Sequence, residues 1–242
     1  MITRAAREVL LALADDEHLM GQQHAEWIGV APFLEEDLAF CSIAQDELGH
    51  AATLYELLTE DVDALAFGRG PEEYRSCHLV EVPCLDWADA LVRHWLYDVA
   101  EELRWEALAG SSIGTVADAV ERAQREETYH RRHADALIRR MLADPDAGAR
   151  VSAAIRGLLP LADALWEPVA GEDEALAAGV VTAGSAAMGD AWRSRVVEVA
   201  GPVDWASLEH PDQRARTKRS EHFDALHARI NEVLALDPTA QW

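Results

Sequence analysis

The sequence predicts an all-α protein, a helical bundle with further helices after it, on three observations. Apolar residues return at three- and four-residue steps over long runs, the period of an amphipathic helix. No alternating pattern of strand length interrupts them. Two long helix–turn–helix units follow one another as a pseudo-repeat. At 242 residues the chain is long enough to bury a substantial core. It reads as a single ferritin-like domain over 1–242, with the two hairpins in 1–144 and a helical extension in 145–242.

The first helix covers residues 1–29. Leu10, Leu13, Leu19, Met20 and Trp27 mark its apolar face, and Gly29 with Pro32 ends it. The second starts near Pro32, a favoured first-turn residue. Glu35, Glu36 and Asp37 suit its positive N-terminal end, and it runs to about Glu60. Residues 61–85 hold Gly68, Gly70, Pro71 and Pro83 and form a connection longer than bundle helices usually need. The third helix runs from an N-cap at Asp86 to Ala109, with a turn at Gly110-Ser111-Ser112-Ile113-Gly114. The fourth extends from Thr115 to Leu142 and closes at Asp144-Pro145-Asp146. Three more helices are expected at about 148–167, 184–200 and 219–235, with a loop at 201–218.

Both hairpins carry a Glu-x-x-His sequence, Glu47-Leu48-Gly49-His50 and Glu127-Thr128-Tyr129-His130. Residues i and i+3 share one helix face, so each carboxylate and imidazole can hold one ion together. Two such pairs, each backed by a carboxylate from a neighbouring helix, make the two-metal carboxylate site of ferritin-like bundles. In an antiparallel hairpin, level residues lie about equally far from the turn. Counting back from Gly29 as far as Glu47 lies beyond Pro32 selects Glu17 on the first helix. Counting back from Gly110 as far as Glu127 lies beyond Gly114 selects Asp98 on the third. The separations from Glu17 to Glu47 and from Asp98 to Glu127 differ by a single position, so the two hairpins agree. Asp15 and Asp16 fall on adjacent faces and Glu26 lies too near the turn. Glu101 and Glu102 fall about one turn too near their loop. The expected ligands are Glu17, Glu47, His50, Asp98, Glu127 and His130, holding two iron or manganese ions with positions left for dioxygen. Each imidazole needs an acceptor for its second N–H. Asp46 and Glu126 are expected to point elsewhere, which leaves those acceptors unassigned.

Other features exclude or qualify. A net charge of −23 excludes a nucleic-acid surface. No run reaches the roughly 18 apolar residues of a membrane span. The amphipathic start at Met1-Ile2-Thr3-Arg4 predicts neither signal nor transit peptide. Cys41, Cys77 and Cys84 have no Cys-x-x-Cys spacing and fit reduced thiols in a cytoplasmic protein. His18, His24 and His94 read as core or surface histidines, with His94 one turn from Asp98 as a possible support. Met20, Ile43, Leu54, Trp95 and Trp105 suit either an aromatic-substrate cavity or ordinary core. Arg214, Arg216, Lys218 and Arg219 form the one basic cluster. It reads as a solvated segment, or as a contact for CoA phosphates or an acidic partner surface. There is no phosphate-cradling glycine loop, no locally readable Ser-His-Asp set and no zinc-type Cys/His spacing.

Gln45-Asp46-Glu47-Leu48-Gly49-His50 with Leu54-Tyr55, the turn Glu26-Trp27-Ile28-Gly29-Val30-Ala31-Pro32, Asp86-Trp87-Ala88-Asp89 and Glu126-Glu127-Thr128-Tyr129-His130 resemble the phenylacetic acid catabolic family. That family contains the ferritin-like A and C subunits of bacterial phenylacetyl-CoA epoxidase. The length and the ending Ala240-Gln241-Trp242 look like a C subunit, whereas the ligands look like an A subunit. The resemblance implies a two-iron site on Glu17, Glu47, His50, Asp98, Glu127 and His130. It implies dioxygen activation and insertion of one oxygen into an aromatic CoA thioester. It also implies an oligomer whose partners are a reductase and a homologous subunit. Two other roles stay open: a structural subunit with a vestigial site, and a ferritin-like oxidase or peroxidase without a CoA substrate.

Overall fold

A computed structural model describes residues 2–237. The Ala240-Gln241-Trp242 ending lies outside them. Among the described residues the secondary structure is helical throughout, with no strand. Helix α1 (Arg4–Ala25) starts on Thr3, whose hydroxyl accepts the Ala6 N–H at 3.2 Å. It stops short of Trp27, because Gly29 turns the chain with φ +84° and Asp37 accepts the N–H groups of Gly29 and Ala31. Helix α2 (Leu34–Glu56) returns antiparallel along α1. Gly21 permits the close approach, since a Cβ there would lie 2.8 Å from Leu48 Cγ.

The connection after α2 is less bare than its Gly and Pro content suggests. It folds into α3 (Val62–Phe67), a 3₁₀ turn at Pro71–Glu73 and α4 (His78–Glu81). Its backbone is fastened to α1: Asp15 accepts the Arg75 N–H and Asp16 the Cys77 N–H.

Helix α5 (Trp87–Leu108) begins at the expected cap, where Asp86 accepts the Asp89 N–H at 3.0 Å. It is buried on nearly every side, because α6 (Gly114–Leu142), α7 (Pro145–Asp163) and α9 (Ser185–Ala200) all pack on it. Trp192 of α9 donates its indole N–H to the Leu96 carbonyl at 2.9 Å, which fixes that layer to the middle of α5. The short α8 (Glu172–Ala177) packs on α1. The last expected helix is broken at Asn231 into α10 (Phe223–Ile230) and α11 (Glu232–Leu236). The C-terminal segment also reaches back to α1, where Arg216 binds Asp16. No helix among the described residues is long and apolar enough to cross a membrane.

Candidate metal centre

Helices α1, α2, α5 and α6 each aim acids at one interior point. Glu17, Glu47, Asp98, Glu127 and His130 have no exposed surface, and His50 is only 4% exposed. The structure therefore brings all six sequence-chosen residues into the same buried region. His50 Nδ1 lies 3.4 Å from Glu17 and 3.5 Å from Glu127. His130 Nδ1 lies 3.3 Å from Glu127, one helical turn away.

The residue the spacing rule passed over is Glu101. It is wholly buried, and its carboxylate is 3.6 Å from His50 Nδ1. Two compact groups of possible ligand atoms exist here, Glu17 with His50 and Glu101, and Glu47 with Asp98 and Glu101. Glu101 belongs to both, the position of a carboxylate shared between two ions. The level-residue argument placed it a turn too near the loop, since it counted only one acid per helix. Asp98-x-x-Glu101 has the same i, i+3 spacing as the two Glu-x-x-His pairs, and that was the readable signal.

The expectation for Asp46 and Glu126 is corrected. His50 Nε2 meets Glu126 at 2.8 Å and His130 Nε2 meets Asp46 at 3.2 Å. The acid just before each ligand glutamate faces across the α2–α6 seam and supports the histidine of the other hairpin. The pairing is reciprocal because both hairpins repeat Asp/Glu-Glu-x-x-His. Such an acceptor fixes the imidazole so that Nδ1 is left for a ligand. His24 Nδ1 contacts Glu47 at 2.8 Å and His94 Nδ1 contacts Asp98 at 3.0 Å, so both lie against the centre rather than in plain core.

Electrostatics marks the region as incomplete on its own. Both carboxylate oxygens of Glu17, Asp98, Glu101 and Glu127, with Nδ1 of His50 and His130, have no hydrogen-bond partner among the described residues. Buried acids left this way are costly, and a pair of divalent cations suits them. Burial first, then the neighbouring Glu101 and Glu17 carboxylates, raises Glu47 and Glu127 well above the usual range. Burial and Glu101 do the same to Glu17. Asp98 is raised by burial against the pull of His130. Burial works against the His50 cation, yet Glu101 and Glu17 hold its pKa up at about 12. Protons thus fill the place of metal charge in the metal-free centre. Hard oxygens with one imidazole per ion fit iron or manganese.

The remaining sequence candidates separate. Met20, Ile43, Leu54, Trp95 and Trp105 are all buried in the core. Of these, Trp105 also walls a 140 Å³ pocket beside His50, with Gly49, Thr53 and Ala123. The basic cluster splits in two. Arg216 is buried against Asp16 and Arg219 against Glu81, whereas Arg214 and Lys218 lie outside, both beside Asp212. The three cysteines are free thiols.

The chain also resembles known proteins end to end. It is 28% identical over 245 residues to the C subunit of 1,2-phenylacetyl-CoA epoxidase from Escherichia coli (strain K12), covering 96% of this chain and 97% of that one. It is 33% identical over 112 residues to the A subunit of the same enzyme, covering 44% of this chain and 35% of that relative. The family described as Phenylacetic acid catabolic protein matches residues 2–242. The chain belongs to that family.

Proposed function

We propose that this chain is an oxygenase subunit of phenylacetate catabolism, working on phenylacetyl-CoA or a related aromatic CoA thioester at a two-iron carboxylate centre. One observation carries the reading: seven buried ligand-type residues from four helices converge with their inward atoms unpartnered, and Glu101 is common to both halves. Glu17, Glu47, His50, Asp98, Glu101, Glu127 and His130 would hold the ions, with Glu101 between them. Bound iron would supply the redox change that activates dioxygen. Glu126 and Asp46 keep the Nδ1 atoms of His50 and His130 directed inward. The pocket beside His50 is about the size that holds a benzene ring, and we assign the substrate's aryl group to it. Arg214 and Lys218, the two cluster members that reach solvent, remain the candidates for CoA phosphates. Val30, Phe33, Leu34 and Leu38 are all more than 60% exposed at one end of the hairpin, an apolar face suited to a homologous subunit. A separate reductase would deliver electrons, and the free thiols suit a cytoplasmic setting.

A second reading, a structural subunit that binds a catalytic homologue, is favoured by the end-to-end match to a C subunit. Metal analysis separates the two. About two irons per chain, lost in Glu101→Ala, support the catalytic reading. A chain that retains no metal, yet associates tightly with an A-type homologue, supports the structural one. Oxygen uptake with a homologue and reductase, stimulated by phenylacetyl-CoA, is expected of the first. Peroxide turnover without that stimulation would point to an oxidase or peroxidase.

A further inference from the structure

A second cavity, of about 60 Å³, lies between α1, α5 and the C-terminal segment, away from the acids of the metal centre. That is room for about four waters, or for one small organic acid. Its polar wall has an excess of donors. Arg104, Trp166 and Arg216 all line it, and each is at least nine-tenths buried. Among the described residues, Arg104 Nη1, Trp166 Nε1 and Arg216 Nε have no hydrogen-bond acceptor. The acids nearby are already engaged. Asp16 Oδ2 takes both Arg104 and Arg216, at 2.8 and 2.6 Å, and Asp16 Oδ1 takes the Cys77 N–H. Glu167 accepts from Ala215 N–H and Gln213, and Glu172 from the N–H and hydroxyl of Ser185. Leu13, Leu108 and Met188 make the opposite wall apolar.

The backbone that delivers Arg216 is unusual. Arg214, Ala215 and Arg216 have φ of 48°, 51° and 62°, three successive non-glycine residues in the left-handed region. Strain of this kind persists only where surrounding bonds enforce it, and it gathers at functional sites. Here Gln213, wholly buried, donates to the Ala164 carbonyl at 2.6 Å and accepts the His78 N–H at 2.7 Å.

We infer that this cavity binds a small monocarboxylate with a short apolar body, its carboxylate accepting from Arg104, Trp166 and Arg216. Guanidinium forks favour carboxylate oxygens over neutral acceptors. At the buried floor two arginines share one aspartate, which leaves one positive charge for the ligand to meet. Glu167 and Glu172 stand at the partly exposed side and repel a second negative charge, which disfavours phosphate and dicarboxylates.

Calorimetric titration of the purified full chain at constant ionic strength tests this, with propionate, succinate, phosphate and propionamide as probes. Propionate is expected to bind saturably at one site and the other three to bind at least about tenfold more weakly, the scale of a hydrogen bond to a charged group. Trp166→Phe keeps the packing and removes one donor, so it should weaken propionate about tenfold. Arg214→Gln, on the exposed side of the turn, should leave propionate binding unchanged. Equal binding of propionamide, preference for phosphate or succinate, unchanged affinity in Trp166→Phe, or no propionate binding at all would each overturn the inference.

Discussion

Asp15, Asp16 and Glu17 are consecutive on α1 and all have no exposed surface, yet they sit in opposite electrostatic situations. Asp15 takes Arg69, the Tyr55 hydroxyl and the Arg75 N–H. Asp16 takes Arg104, Arg216 and the Cys77 N–H. Burial pushes Asp16 up, but Arg216 and Arg104 outweigh it and hold its carboxyl below the usual range. Glu17 faces Glu101 and other acids instead, and is raised. A buried acid with cationic partners is a structural clamp, here fastening the crossover and the C-terminal segment to α1. A buried acid facing other acids is a seat for cations.

Removing the clamp gives the largest expected effect on stability. Asp16→Asn leaves Arg104 and Arg216 without their shared charge, a loss of about 3–5 kcal/mol for a broken buried pair. Chemical denaturation should detect it, while metal bound per folded chain stays near the wild-type value. Glu17→Gln should do the reverse, raising the stability of the metal-free chain by about 1 kcal/mol and lowering metal content. Equal destabilisation by both substitutions would dissolve the distinction. Glu101→Ala is expected to release both ions, whereas Glu17→Gln should weaken one half of the centre first. Metal analysis after dialysis distinguishes these outcomes.

The acids behind the histidines sharpen the contrast one step further out. Asp46 and Glu126 are partly exposed, so neither carries the fold, and each only orients an imidazole across the seam. Asp46→Asn or Glu126→Gln should reduce metal affinity by about 10–100-fold with the melting temperature of the metal-free chain little changed. A shift in melting temperature as large as that of Asp16→Asn would make them structural acids after all.

Most of the centre was legible because helical geometry ties sequence spacing to facing. The repeated Glu-x-x-His fixed two faces, and counting from the turns found Glu17 and Asp98. Glu101 escaped because counting assumes one level acid per helix, whereas a shared carboxylate lies between levels. The cross-seam pairs escaped for another reason. Asp46 and Glu126 neighbour their ligands in sequence but serve the opposite hairpin, a relation set by how α2 and α6 pack. The helices inside 61–85 were hidden by Gly and Pro, and their place is held by long-range bonds to Asp15 and Asp16.

The pH response separates the same two regions more gently. Glu17, Glu47, Asp98 and Glu127 have raised carboxyls, and His50 is raised to about 12. Between pH 7 and 9 the folded metal-free chain therefore binds more protons than the unfolded chain. Its stability should fall as pH rises, by about 1.4 kcal/mol per pH unit for each extra proton. Histidines lowered by burial, such as His18 at about 4, act with the opposite sign but only below about pH 6.5, where the unfolded imidazole begins to bind a proton. Metal replaces those protons, so iron or manganese should flatten the slope between pH 7 and 9. A slope unchanged by metal would place the ions elsewhere.

The smallest expected effect divides the basic cluster along the same line. Arg216 lies inside and shares Asp16, while Arg214 and Lys218 project outward beside the exposed Asp212. Solvent and salt screen the outer contacts, and long side chains lose freedom in making them. Arg214→Gln and Lys218→Gln should therefore leave the melting temperature within experimental scatter, singly or together. If these residues meet CoA phosphates, the double variant should instead weaken CoA-thioester binding and reduce its dependence on salt, with the apparent turnover at saturation unchanged. Unaltered affinity at low salt would leave Arg214 and Lys218 as a solvated segment and move the CoA contact to another face of the chain or to its partner.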